Sequence, residues 1–460
     1  MIPTIFAKSL GTSELWVGMF GLLLHFLTSF LRDSWRSTSR RLFVAVVGAI
    51  ALLQWVIFPA FTQQPVTVKV LVQALEGAQL APLVERFHRE NPDIELDIVE
   101  APNDTNNVED LYTSAFLLGQ SPYDLVYMDI VWVPKFAAAG WLLPLDDRIE
   151  RAGIDLGKFL QGDVNGGRYR GELYRMPFRS DGGMLYYRTD WLQAVGRQPP
   201  ATFDELVDVS QELQAQGLTD WGYVWQGKQY EGLSAMFVEV LAGYGAYWVD
   251  PDTLDVGLDR SEAIAAVEFL VSTITSGVSP PGVTTYSEEP VRRLFENGRT
   301  AFMRNWPYAY SLGQQSAIAG QFAIQPMVRS SQGRSGACQG GWGLGIAKTT
   351  AHPDAAWRVA EYFARAETQK QYSLETGYVP SRRELFADPE LVAEFSYLPD
   401  LLNVIENSVL RPPIAQYSQA SDILQRYLSA AFSRTMTPDA AMEAAARETR
   451  ALLRSAPRAS

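Results

Sequence analysis

Residues 66–100 read VTVKVLVQALEGAQLAPLVERFHRENPDIELDIVE. The opening run VTVKVLV (66–72) alternates apolar and polar positions, the period of a strand with one face buried. Leu80, Leu83, Val84 and Phe87 then recur at i, i+3, i+4 and i+7, which places one apolar stripe on a helix. Asn91-Pro92 stops that helix, because proline disfavours the helical region for the residue before it. DIELDIVE (93–100) alternates again, with Ile94, Leu96 and Ile98 on one face. Strand, helix and strand in this order form a βαβ unit, whose crossover joins parallel neighbours. The fold class predicted is therefore α/β, with a largely parallel sheet.

Working outward, a helix near 107–118 leads to a third strand, YDLVYMDI (123–130), and a short helix near 133–140 ends at Gly140. From about 175 a second region begins, with strand-like runs LYRMPF and GGMLYYR on either side of a Gly-Gly turn. Thr202 and Glu205 have capping-box spacing for a helix over 203–216. Further helices are expected near 260–276 and 288–297, strands at TAFMRN (300–305) and GWGLGIA (341–347), and helices from 353 onward. No internal repeat or low-complexity segment interrupts the chain.

The 460 residues are too many for one ordinary core. Hydrophobic residues make up 47 %, enough for large cores and too many for disorder. The net charge is −13, and residues 1–65 alone carry +3, so the rest of the chain is more acidic still, at −16. Such a body repels phosphate backbones, which argues against a nucleic-acid partner. The single Cys338 forbids an intrachain disulfide, and His25, His88 and His352 are too scattered to suggest a metal site or a zinc hydrolase. No cofactor is expected.

Leu42–Phe61, LFVAVVGAIALLQWVIFPAF, is a run of twenty residues without a charge, long enough to cross a bilayer as a helix. Arg32, Arg36, Arg40 and Arg41 precede it and are expected to stay in the cytoplasm, so that the chain from Thr62 onward lies on the far side. Residues 1–62 are read as the membrane segment, with the anchor helix at about 42–61. A second apolar stretch, Leu15–Leu31, is open to three readings: another span, an interfacial segment, or residues ahead of a later true start. Cleavage as a signal peptide fits less well, since Phe58, Pro59, Ala60 and Phe61 make a poor small-x-small site. Either way the acidic body is exported.

In open α/β sheets ligands bind at the carboxyl ends of strands. Glu76-Gly77 sits between the first strand and its helix, Asp129 near the end of the third strand, and Arg179, Ser180 and Asp181 on a loop between strand-like runs. Carboxylates at such positions either cap helices and pair with arginines, or accept the paired hydroxyls of a sugar. Trp306, Tyr308 and Tyr310 in RNWPYAY and Trp342 in QGGWG lie beside proline or glycine, and Gly341 adjoins Trp342. Rings of this kind stack on the apolar face of a pyranose.

Six stretches carry a resemblance: DLVYMDIVWVPKFAAAGWLLPLDD (124–147), GGMLYYRTDWL (182–192), WGYVWQGKQYEGL (221–233), SPPGVTTYSEEPVRRLFENGRTAFMRNWPYAY (279–310), GGWGLGIAK (340–348) and ENSVLRPPIAQY (406–417). Over about 66–455 the chain resembles the extracellular solute-binding proteins of sugar ABC importers, family 1, and among them the trehalose/maltose-binding branch. The resemblance implies a type II periplasmic-binding-protein fold, two α/β lobes hinged as a clamp; the N-terminal transmembrane helix read above departs from it, since many relatives are free or lipid-anchored. It implies lobe I from 66–174 plus about 312–350, and lobe II from about 175–305 plus 353–455. By the same resemblance Glu76, Asp104 with neighbouring Thr105, Asp129 and Asp181 match polar ligand contacts, and Trp306 and Trp342 match stacking rings. Tyr378 falls at an aromatic position and Arg411 at a basic one. Arg179 departs from the branch, which carries tyrosine there; a guanidinium brings five donors and removes a stacking ring.

The function implied is capture of a small α-glucoside (trehalose, maltose, sucrose or glucosylglycerol) and its delivery to permease subunits and their ATPase, by a monomer with no catalysis. A tethered sugar sensor is the alternative, although the chain has no kinase, cyclase or cytoplasmic output domain. A glycosidase would need Asp129 and Asp181 as acid and base about 5 to 10 Å apart.

Overall fold

The computed structural model describes residues 64–455 except Gln120 and Gln332. The apolar runs 15–31 and 42–61 fall outside those residues. Among the described residues no helix is long and apolar enough to cross a membrane.

Among the described residues, twelve strands form two main sheets and a ribbon: β1 Val66–Gln73, β2 Ile94–Ala101, β3 Leu125–Asp129, β4 Arg168–Tyr169, β5 Glu172–Leu173, β6 Met176–Gly182, β7 Met184–Arg188, β8 Trp221–Val224, β9 Thr300–Asn305, β10 Phe322–Gln325, β11 Gln339–Ile346 and β12 Val379–Pro380. One sheet has six strands in the order β12-β6-β11-β3-β1-β2, the other four in the order β10-β7-β9-β8, and β4 pairs with β5 alone. The molecule is thus α/β with two lobes, one around each sheet.

The βαβ unit forms as the alternation predicts. β1 and β2 run parallel in register from Val66↔Ile94 to Gln73↔Ala101. The intervening helix, Ala74–Glu90, buries Leu80, Leu83 and Phe87 and starts directly after β1. Glu76 and Gly77 therefore lie in its first turn, where a loop was expected. β3 continues the parallel arrangement beside β1, whereas β11, β6 and β12 are antiparallel to their neighbours. The sheet is mixed, because β11 returns from the other lobe and inserts antiparallel between β3 and β6.

Sheet membership differs from the division expected from the sequence. β6 lies in the six-stranded sheet, and the helices Pro353–Phe363 and Ala366–Thr376 pack on that sheet, while β10 pairs with β7 in the four-stranded one. The lobe around β1 therefore takes in the chain up to Gly182 and the segment 339–380. The region around 312–330 joins the other lobe, together with the helices Tyr417–Phe432 and Pro438–Ser455. A strand's partner is set by distant pairing, which local pattern does not encode.

The expected Gly-Gly hairpin turn is instead where the chain crosses between sheets. β6 extends through Gly182, β7 begins at Met184, and only Gly183 separates them. A Cβ on Gly183 would collide with the Glu239 carboxylate and the Arg304 guanidinium. That ion pair, at 2.6 Å, has both side chains fully buried and lies against the crossover. The capping box is present: the Thr202 side chain accepts from Glu205 N–H, and Glu205 reaches back to the Thr202 backbone, opening the helix Phe203–Ala215.

Candidate ligand-binding site

A cleft of ≈ 980 Å³, counting its mouth, opens at the carboxyl ends of β1, β2 and β3 and is closed from the other side by segments following β8 and β9. Asp104, Thr105, Asp129, Arg179, Asp181 and Trp306 line it, and so do Tyr308, Gly341, Trp342, Tyr378 and Arg411. Eleven of the residues singled out in the sequence thus converge on one place, while Gly77, Ser180 and Tyr310 stay outside it. Glu76 does not line it.

Glu76 is 2 % exposed and lies beneath the wall. Its carboxylate accepts from Arg179 Nε at 2.9 Å, from Arg179 Nη2 at 3.3 Å, and from the hydroxyls of Tyr127 and Tyr372. It holds the residue that faces the cleft. Arg179 is not on a loop: it lies within β6, paired with Trp342 of β11 and Pro380 of β12. Its guanidinium also bonds the Asp181 carboxylate and lies 4.3 Å from the centre of the Tyr378 ring. Tyr378 stacks in turn on Tyr372, with ring planes 6° apart. Arg179 is therefore anchored by two carboxylates and by the rings of Tyr378 and, at 5.5 Å, Trp342 before any ligand arrives.

A second guanidinium is built in the same way. Arg411 donates to Asp129 at 2.8 Å and to Glu231 at 2.7 Å, and Glu231 also accepts from Ser421 at 2.6 Å and from Tyr417. Asp129 closes β3 of one sheet, and Glu231 opens the helix Glu231–Gly243 of the other lobe. Arg411 joins the lobes at the floor of the cleft.

Burial pushes the Asp181 carboxyl up to about 6, with Arg179 opposing the rise. Burial raises Glu231 as well, against Arg411. Below the cleft, Asp163 is fully buried and pushed up to about 7 by burial, opposed by Arg175. Asp163 explains Gly341, whose φ is +143°. A Cβ there would sit 2.8 Å from Asp163 Oδ1 and 2.9 Å from the Arg179 carbonyl oxygen. Only glycine lets β11 pass so close to β6.

The aromatic residues divide into two kinds. Trp306 is half-buried, with its indole N–H 3.3 Å from Glu288 and the Arg304 guanidinium 4.0 Å from its ring centre. It presents a ring to the cleft and is held from behind. Trp342, at 7 % exposure, packs on Tyr127 and Trp132 and belongs mainly to the core. Tyr308 is buried and donates to Glu289 at 3.0 Å.

Sequence reasoning passed over Lys228, Tyr230 and Glu231, and also Ser287, Glu288 and Glu289, all of which line the cleft. Glu231, Glu288 and Glu289 fall in the first turns of helices, where acidic residues are common for local reasons. The available signal was their place within two of the six quoted stretches. The whole arrangement offers a polar floor of pre-paired charges and one framed indole. It suits a ligand rich in hydroxyls, with an apolar face on one side.

Residues 73–370 match the family described as bacterial extracellular solute-binding protein. A probable ABC transporter-binding protein of Deinococcus radiodurans is 29 % identical over 75 % of this chain and 84 % of its own length. The maltotriose-binding protein of Pyrococcus abyssi is 28 % identical over 67 % of this chain and 64 % of its own. Among solved structures, maltose-bound T. maritima MalE3 superposes with a TM-score of 0.80 at 35 % identity, covering 84 % of this chain and all of that one.

Proposed function

We propose that this chain, which belongs to the bacterial extracellular solute-binding proteins and is not an enzyme, captures a small α-glucoside in the cleft between its lobes and delivers it to an ABC permease. Trehalose, maltose, sucrose and glucosylglycerol are the candidates. The observation that carries the reading is the Trp306 ring, framed by Arg304 and Glu288, in one cleft with the buried pairs Arg179–Asp181 and Arg411–Asp129. The ring supplies a stacking surface, and the carboxylates supply strong acceptors for vicinal hydroxyls. The maltose and maltotriose named for two similar proteins agree with that chemistry.

In this reading the chain works outside the cytoplasm, held to the membrane by 42–61. Sugar that touches both lobes stabilises the closed clamp by its differential affinity. The tether raises the receptor's concentration at the permease.

Thermal unfolding of the purified full chain against a panel of the four sugars, with glucose and mannitol as controls, tests the ligand. A ligand at 100 times its dissociation constant adds about 2.7 kcal/mol to the folded state. A rise in melting temperature with one or two glucosides supports the reading, and no rise with any of them refutes it. Alkaline carbonate extraction of membranes tests the tether: release of the chain would refute anchoring by 42–61.

A further inference from the structure

Asp104 is matched to a ligand contact by the family resemblance, yet both of its oxygens are already engaged. Oδ1 caps the helix Thr105–Leu117, accepting from Asn106 N–H at 3.1 Å and Asn107 N–H at 3.2 Å. Oδ2 accepts from Lys228 Nζ at 3.0 Å. Asp104 follows β2 of the six-stranded sheet, whereas Lys228 follows β8 of the four-stranded one. The ion pair therefore joins the two lobes at the edge of the cleft that both residues line. A second bond crosses at the same place, from the Glu231 backbone N–H to Asn106 Oδ1 at 3.1 Å. Lys228 is fixed on its own side: its backbone N–H bonds the Tyr286 carbonyl at 3.1 Å, and its ammonium lies 5.3 Å from the Tyr230 ring centre.

We propose that Lys228 is an affinity-determining residue that acts by tying the lobes together through Asp104, not by binding the ligand. The tie favours the form in which both walls reach the ligand, so it strengthens binding without a contact of its own. Lys228 and Asp104 retain 44 % and 20 % side-chain exposure, so dissolved salt screens the pair. An uncharged sugar then binds with an affinity that depends on ionic strength, which no direct contact to a neutral ligand would produce. The floor pairs at Arg411 are far more buried and escape such screening.

This inference rests on the α-glucoside reading for its first readout only. Calorimetric titration of the full chain with maltose and trehalose, at 20 and 500 mM salt, compares the native protein with Lys228→Met and Lys228→Arg. The native affinity is expected to fall about two- to fivefold at high salt, the scale of an exposed ion pair. Lys228→Met should show that loss already at low salt and no further dependence, and Lys228→Arg should restore both. Native affinity in the methionine variant, or a salt dependence that survives in it, overturns the proposal.

The second readout needs no sugar. Spin labels at Glu85→Cys and Glu262→Cys, one exposed position in each lobe, report the interlobe distance in the unliganded chain by pulsed electron resonance. Lys228→Met should shift the low-salt distribution to longer distances. An unchanged distribution overturns the tie even if no sugar binds, while a shift without any sugar binding would refute only the ligand reading.

Discussion

Replacing Arg179 with methionine separates a structural guanidinium from a ligand-binding one. Arg179 is 6 % exposed, and its carboxylate partners Glu76 and Asp181 are 2 % and 5 % exposed. Methionine fills much of the volume but leaves both carboxylates without a cation. Removing one partner of a buried pair costs about 3–5 kcal/mol, because the other charge stays desolvated. The contact to Tyr378 at 4.3 Å goes as well. The sign of the pH dependence follows from the carboxylates. Asp181 already stands at about 6, above the ordinary aspartate value of 3.8, through burial against the opposing pull of Arg179. A carboxyl with a raised folded pKa contributes stability that is complete below its unfolded value and lost as pH climbs through the folded one. Losing Arg179 moves that window upward, so the variant should suffer most near pH 7.5. At pH 5 the deficit should shrink by roughly 1–2 kcal/mol. Urea unfolding followed by tryptophan fluorescence at both pH values measures this. A deficit under about 1 kcal/mol, or the same deficit at both pH values, would refute the claim that Arg179 is anchored chiefly by charge.

Trp306→Ala should weaken binding of the preferred sugar by about 1–3 kcal/mol while barely moving the melting temperature; unchanged affinity in calorimetric titration would make the ring a support, not a wall. Gly341→Ala should lower stability by about 2 kcal/mol or more, since its Cβ meets Asp163 and the Arg179 carbonyl at a positive φ, and a native melting temperature would contradict that geometry. Asp163, at about 7, gives the folded chain stability that is complete below pH 4 and lost as pH rises past 7. Asp163→Asn should therefore show a smaller fall in urea midpoint between pH 5 and pH 8 than the native chain, and identical pH profiles would count against a titrating Asp163.

The alternation and helical spacing in 66–100 were enough to give β1, β2 and the helix between them in the right order, because each of those elements buries a face that its own sequence marks. The capping box at Thr202 and Glu205 was legible for a similar reason: both partners lie within one turn. Trp306, Asp129 and Asp181, which line one cleft, could be singled out because strand ends and ring-plus-turn motifs have a local signature. What the sequence did not yield is everything that depends on partners distant along the chain. β6 and β7 are consecutive strands of different sheets, and the packing of Glu239 and Arg304 against Gly183 at their junction involves residues far along the chain. Glu76 reads as a cleft residue until its helix is seen to start a residue after β1, turning the carboxylate toward Tyr127, Tyr372 and Arg179. Lys228 is an unremarked lysine until Asp104, 124 positions earlier, is found 3.0 Å away. Local pattern thus fixes which segments become strands and helices, since those choices are made by burial and backbone geometry within a few residues. Tertiary structure alone decides which charges meet across the cleft, since a buried ion's partner is chosen by the need to offset its desolvation, and that partner can come from anywhere in the chain.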